Sequence, residues 1–225
     1  MGDNGVAEIA RTLTTMAIDA RQYAPATQRN RDVILSILHQ VLPTQGTVLE
    51  VSSGTGEHAV YFAPRLQPRY WLPSDLNPVA QASIAAWRDH HPTEYLLAPI
   101  HLNAEDSSWL VEQEGVYRLV EPIVAIANIN MIHISPWSAC LGLLAGAGRI
   151  LPPGGILYIY GPYKQNGAHT AESNAVFDQG LRSQNPAWGI RNLEDVIEAA
   201  QIQQLKLLKT VSMPANNLSV ILQRN

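Results

Sequence analysis

A chain of 225 residues, 46% hydrophobic and 15% charged, carries enough apolar material for a full core and excludes long disorder. Its formal charge of −4 and isoelectric point of about 5.9 offer nothing to a phosphate backbone, so nucleic acid is excluded as an expected partner. A lone cysteine, Cys140, excludes an internal disulfide; it lies in an apolar helical run, where a buried inert thiol is expected.

No apolar run is long enough to span a bilayer, and the first 25 residues lack the basic start and unbroken apolar centre of a signal peptide. These features predict a cytoplasmic protein with no membrane partner, built as one domain over 1–225, with 1–30 as a candidate N-terminal lid. The oligomeric state is not encoded in any pattern of this kind.

In chain order, residues 32–42 carry a helical stripe of Val33, Ile34, Ile37, Leu38, Val41 and Leu42 that ends before Pro43. "TVLEV" reads as a short buried strand, and a helix begins near His58. "RYWLPSD" is a second strand. Asn77-Pro78 is a cap followed by proline at the first helical position, and that helix runs to about His91. "EYLLAPIHL" reads as strand three and "EDSSWLVEQEG" as a short helix. "PIVAIANI" is nearly all apolar, as a central parallel strand should be. Ser135-Pro136 reads as the cap of a helix reaching "AGAGRIL", and "GGILYIYGP" is strand five. Helices are expected in "TAESNAVFDQGLRSQ" and "NLEDVIEAAQI", on either side of the loop "NPAWGIR". "LKLLKTVSM" and "LSVILQR", separated by "PANN", read as an antiparallel hairpin. The fold class expected is α/β: a doubly wound, Rossmann-like sheet, mostly parallel, ending in that hairpin. Ligands of such sheets sit beyond the carboxyl ends of the strands, where the strand order switches.

The first strand and its turn, "VLEVSSGTGEHAV", lie at that place. No Gly-Lys-Ser/Thr follows, which removes a phosphate-binding P-loop. Gly54-x-Gly56-x-x-Ala59 does match a dinucleotide fingerprint, with Asp75 about twenty residues on. The acid Glu50 favours S-adenosylmethionine instead, because a carboxylate there attracts an ammonium and repels a diphosphate. Ser52 is costly only if its position needs a positive φ. Two rivals stay open: a non-catalytic protein that binds S-adenosylmethionine or S-adenosylhomocysteine, and an NAD(P)-dependent oxidoreductase.

Several stretches together resemble the methyltransferase-like 26 family: "YAPATQRNRDVIL", "VLEVSSGTGEHAVYFA", "WLPSDLNP", "NINMIHISPW", "GLLAGAGRILPPGGILYIYGPY", "SNAVFDQGLRSQNPAWGIR" and "PANNLSVIL". They span the chain from about Tyr23 to its end. The resemblance implies a class I methyltransferase fold, which ends in an antiparallel strand pair, with S-adenosylmethionine as cofactor and methyl transfer as activity; it names no substrate. Ser52 departs from a glycine of the family, and Asn103 stands where aspartate is common.

Cofactor-binding roles are expected for Glu50, Ser52, Gly54, Gly56, Asp75, Asn103 and Asn128. Asp75 is expected to accept the ribose hydroxyls, with a turn acid as its alternative, and Asn103 to meet the adenine. Past strand four, His133 and Asn130 are the catalytic candidates. A histidine has a suitable intrinsic pKa for a base, and predicts an ascending pH limb near 6.5; a structural cap is its alternative. Substrate contacts are expected from Tyr23, Arg29, Asn30, Tyr163, Trp188 and Arg191. Tyr163 is expected to face the cavity and Tyr160 the core. His90-His91 lacks a third ligand at useful spacing, so no metal site is expected. The acidic balance favours a small-molecule acceptor.

Overall fold

The computed structural model describes residues 19–225. Its central sheet comprises β1 (Thr47–Val51), β2 (Tyr70–Asp75), β3 (Ile100–His101), β4 (Ile123–Ile129), β5 (Ile156–Gln165), β8 (Leu205–Met213) and β9 (Asn217–Arg224), in the order β3-β2-β1-β4-β5-β9-β8. Two short strands, β6 (Ala168–His169) and β7 (Arg191–Asn192), pair with the far end of β5. All pairings from β3 across to β5 are parallel. β9 runs antiparallel to both β5 and β8, and Met213 pairs with Asn217 at the hairpin turn. The strand order reverses between β1 and β4, which places the ligand crevice beyond Val51 and Ile129.

The helices are α1 (Pro25–Val41), α2 (Glu57–Phe62), α3 (Pro78–His90), α4 (Trp137–Ile150), α5 (Glu172–Gln184) and α6 (Leu193–Ile202). Side chains alternate across the strands and build two cores. Val48, Ala125, Ala127 and Tyr158 meet Ile34, Leu38 and Phe62 on one face. Leu49, Val51, Ile126 and Leu157 meet Leu143, Leu144 and Val196 on the other. No helix among the described residues is long and apolar enough to cross a membrane.

Four elements differ from expectation. α1 begins at Pro25, seven residues before the apolar stripe, because its first buried positions are the polar Thr27 and Asn30. β3 shrinks to two residues: Leu96 makes an isolated bridge to Trp71, and Pro99, which has no N–H, interrupts the ladder. "EDSSWLVEQEG" forms a single 3₁₀ turn, Leu110–Glu112. There the Glu112 carboxylate folds back to accept the Trp109 N–H at 2.5 Å and binds Arg149 at 2.7 Å. Ser135 does not cap α4; its hydroxyl donates to the Met131 carbonyl at 3.0 Å. The Asn77 cap is present, accepting from the Val79 N–H at 2.9 Å.

Candidate functional site

The turn after β1 packs between α2 and the carboxyl end of β2. Gly54 adopts φ +57°, and no atom lies within 4 Å of where its Cβ would stand. Ser52 also adopts a positive φ of 60°, so its departure from glycine carries a strain of roughly 1–2 kcal/mol. Gly56 serves a different need. It has φ +87°, and a Cβ there would meet the Ile84 Cα at 2.8 Å, so this glycine seats α2 against α3 rather than a ligand.

Beyond this turn lies a cavity of about 630 Å³. Its walls include Glu50, Ser52, Gly54, Asp75, Asn103 and Asn130, together with Ala26, Thr27, His58, Met131 and Ile134. Among the described residues, three carboxyl side chains, Glu50, Asp75 and Glu105, line it, and neither lysine nor arginine does. Glu50 is 1% exposed and accepts the Trp71 indole N–H at 2.9 Å. Burial pushes its carboxyl up to about 7, with the nearby Asp75 adding to the rise and the Trp71 and Ser53 hydrogen bonds opposing it. Asp75 accepts the Gly54 N–H at 2.9 Å on one oxygen and the Asn77 N–H at 2.8 Å on the other. Each oxygen keeps a lone pair for a ligand. Asn103 shapes its own turn, accepting the Glu105 N–H and donating to Asp106, both at 3.1 Å.

A second cavity, of about 690 Å³, adjoins the first; Ala26, Asn130 and Ile134 line both. Arg29, Asn30, His133, Tyr160, Asn174 and Phe177 form much of its remaining wall. Asn130, at the seam, holds φ +59° while its N–H donates to the Tyr160 carbonyl at 2.9 Å. A positive φ outside glycine at such a place is a mark of functional sites. His133 is 3% exposed, edge-on to Phe177 at 5.7 Å, and its Nδ1 has no partner among the described residues. Gly161 makes room for this ring: a Cβ there would meet Nδ1 at 3.2 Å. Burial, with the charge of Arg191 beside it, lowers the His133 imidazole to about 4. The ring is therefore neutral at physiological pH, and the pH limb expected near 6.5 moves down accordingly. His58 is likewise held at about 4, by burial and then Arg31; its Nε2 lies 2.8 Å from Asn30 Oδ1.

Six expected contacts lie outside both cavities, Tyr23 among them. Gly56 is the packing glycine described above. Asn128 is fully buried, its amide donating to the Val51 carbonyl at 2.9 Å. Tyr163 points into the core rather than a cavity, while Tyr160, buried in the core on the opposite face as expected, also lines the second cavity. Arg191 is occupied by the carbonyls of Ile132 at 3.0 Å and Ser135 at 2.6 Å, so it braces the loop that carries His133. Trp188 is half-buried beside it and reaches neither cavity.

Of the expected lid, residues 1–18 lie outside the described residues. Tyr23 stacks edge-on against Trp87 at 5.1 Å, over a different cleft. Arg29 and Asn30 do reach the second cavity. The chain entering α1 is tied down by the Gln22 N–H to Ser83 Oγ at 2.8 Å, the Trp87 indole to the Gln22 carbonyl at 2.9 Å, and the Ala24 N–H to the Glu57 carboxylate. These bonds bring Ala24, Ala26 and Thr27 to the first cavity. Among residues the sequence did not single out, His58, Asn174 and Phe177 are brought to the walls only by the packing of α1, α2 and α5.

Solved structures share this architecture. An O-methyltransferase family protein from Burkholderia thailandensis superposes with a TM-score of 0.72 at 15% identity, covering 89% of this chain and 56% of that one. An O-methyltransferase family 2 protein from Planctomyces limnophilus, in complex with apigenin, gives 0.70 at 16% identity, covering 89% and 60%. Human N-acetylserotonin methyltransferase in complex with SAM gives 0.68 at 11% identity, covering 89% and 53%. The chain thus spans little more than half the length of these proteins, and at such identities the likeness establishes the methyltransferase Rossmann-like fold. A family model described as "Protein of unknown function (DUF938)" matches residues 21–224, and the chain belongs to that family.

Proposed function

We propose that this protein is an S-adenosylmethionine-dependent methyltransferase acting on a small-molecule acceptor, of the methyltransferase-like 26 type. The observation that carries the proposal is the pair of cavities meeting at Asn130, the first lined, among the described residues, by acids without a lysine or arginine. Such a wall suits a sulfonium and an ammonium and is hostile to a diphosphate. The Gly54 N–H, which a dinucleotide would need, is taken by Asp75. This weighs against the NAD(P) alternative.

Bound S-adenosylmethionine supplies an electrophilic methyl group and a thioether leaving group. Glu50 holds the ammonium end, Asp75 accepts from the ribose hydroxyls, and Asn103 borders the adenine. Gly54 leaves the space the ligand fills. Asn130 orients the acceptor across the seam, and the neutral His133 imidazole takes the acceptor's proton. Ala26 and Thr27 on α1 narrow the cavity and limit water around the reacting centre. The whole chain acts as one catalytic domain in this proposal, in a cytoplasmic setting.

The test is to incubate the protein with methyl-labelled cofactor and size-fractionated extract. Label in the small-molecule fraction supports the proposal, and label in RNA or protein refutes the acceptor class. A protein that binds S-adenosylhomocysteine yet labels no fraction would be the non-catalytic binder.

A further inference from the structure

The wall of the second cavity farthest from the seam is built by α5 and by the β8–β9 turn, where Ala215 and Asn216 both adopt φ +57°. Three asparagines stand there, and their amide donors face the protein. Asn174 Nδ2 donates to the Asn216 carbonyl at 3.0 Å and to Thr170 Oγ1 at 3.1 Å. Asn217 Nδ2 donates to the carbonyls of Pro214 at 3.0 Å and Ala215 at 3.3 Å. Main-chain carbonyls only accept, so these partners fix which end of each amide is nitrogen. Asn216 Nδ2 donates to Ser173 Oγ at 3.3 Å.

The oxygens of the three amides are left over. No donor among the described residues reaches Oδ1 of Asn174, Asn216 or Asn217, all three of which line the cavity, so this wall carries free hydrogen-bond acceptors; Asn174 is buried, Asn217 half-buried and Asn216 exposed. A polar atom left without a partner on ligand binding is costly, so the occupant is selected to supply donors. Towards the Asn130 end the wall also carries donors, the Asn30 and Asn130 amides and the Tyr160 hydroxyl. Elsewhere in the lining, Arg29, the one lysine or arginine among the described residues there, is exposed, and so is the Ser173 hydroxyl. His133 carries no charge at neutral pH. A carboxylate or phosphate placed against the amide oxygens would meet repulsion with no buried cation to offset it.

We propose that this far wall recognises its occupant through hydrogen-bond donors, an ammonium or hydroxyl group, and discriminates against carboxylates and phosphates. The proposal rests on reading the second cavity as the acceptor site, and adds the acceptor's chemical class to it. The reacting group lies at the Asn130–His133 end, and the donor group at the Asn174–Asn217 end.

The test uses three probes on one phenyl ring: phenethylamine, 2-phenylethanol and 3-phenylpropionate. Saturation-transfer NMR measures their affinities in the presence of saturating S-adenosylhomocysteine, for the wild type and for Ser173→Tyr, an exposed helix position where a tyrosine obstructs the cavity. The amine or the alcohol should bind at least about tenfold more tightly than the carboxylate, and Ser173→Tyr should abolish the difference. Which of the two binds more tightly separates ammonium from hydroxyl. Equal or tighter binding of the carboxylate, no binding of any probe, or a preference unchanged in Ser173→Tyr overturns the proposal. Calorimetry on the same samples keeps the two readings apart. Probe discrimination without any heat from S-adenosylhomocysteine would overturn the methyl-transfer reading alone, and that heat with a preferred carboxylate would overturn this proposal alone.

Discussion

Glu50→Gln should make the protein more stable at alkaline pH while weakening its hold on a cationic ligand. The carboxyl is buried, and its pKa rises from the usual 4.5 to about 7. A group whose pKa is raised on folding contributes stability that is fully present below pH 4.5 and is lost as the pH rises through about 7. At about 1.4 kcal/mol per pH unit, that interval corresponds to about 3 kcal/mol lost by pH 8. Glutamine is of similar size, and its carbonyl can still accept the Trp71 indole N–H, so the variant avoids this loss without leaving a cavity. For a chain of this length, about 3 kcal/mol corresponds to roughly 6–12 °C in melting temperature. Two buried histidines, His58 and His133, have depressed pKa values near 4 and destabilise the fold as the pH falls from 6.5 towards 4. They are common to both proteins, so the difference between the two melting profiles isolates Glu50. Scanning calorimetry from pH 4.5 to 8.5 should show the curves converging at the acid end, separating from about pH 5 and levelling off above about pH 7, with the variant higher. A variant that melts below the wild type at pH 8, or by an amount independent of pH, would refute the reasoning.

His133→Asn should lower turnover about 10²–10⁴-fold with cofactor affinity nearly intact, and the wild-type rate should show its ascending limb near pH 4, where burial places the imidazole; a stable variant with normal turnover removes His133 from the chemistry. Asp75→Ala should weaken S-adenosylhomocysteine binding in calorimetry about tenfold or more, and should also lower the melting temperature, because it leaves the Gly54 and Asn77 N–H groups without their partner. Two glycines should separate function from folding: Gly54→Val, with open space for its side chain but a backbone at φ +57°, costs affinity on top of about 1–2 kcal/mol of strain, whereas Gly56→Ala, driven against the Ile84 backbone, costs about 1–3 kcal/mol of stability and little affinity. Equal affinity losses in the two variants would contradict the distinct roles assigned to them.

Most of the sheet was legible because its inner strands β1 and β4 are short and almost wholly apolar, and the turn after β1 was legible because Glu50, Gly54 and Asp75 fall where a strand meets a helix. Hydrophobic periodicity failed where burial is polar. Thr27 and Asn30 continue the inner face of α1 with hydrophilic side chains, so an apolar stripe could only begin at Val33. Tyr160 and Tyr163 lie on opposite faces of β5, and residue type alone does not tell which face meets the cavity. Arg191 and Trp188 resembled substrate contacts by composition, but Arg191 is engaged by the carbonyls of Ile132 and Ser135. The far wall was read as two separate pieces, a helix over "TAESNAVFDQGLRSQ" and a hairpin turn at "PANN". Asn174 lies 42 residues from Asn216, and only the fold brings the two amides together.

The most direct test of cofactor identity is isothermal calorimetry of the purified protein with S-adenosylhomocysteine, NAD and NADP in parallel. Saturable heat with S-adenosylhomocysteine alone is expected, at one ligand per chain and weakened in Asp75→Ala. Saturable binding of NAD or NADP, with none of S-adenosylhomocysteine, would contradict it.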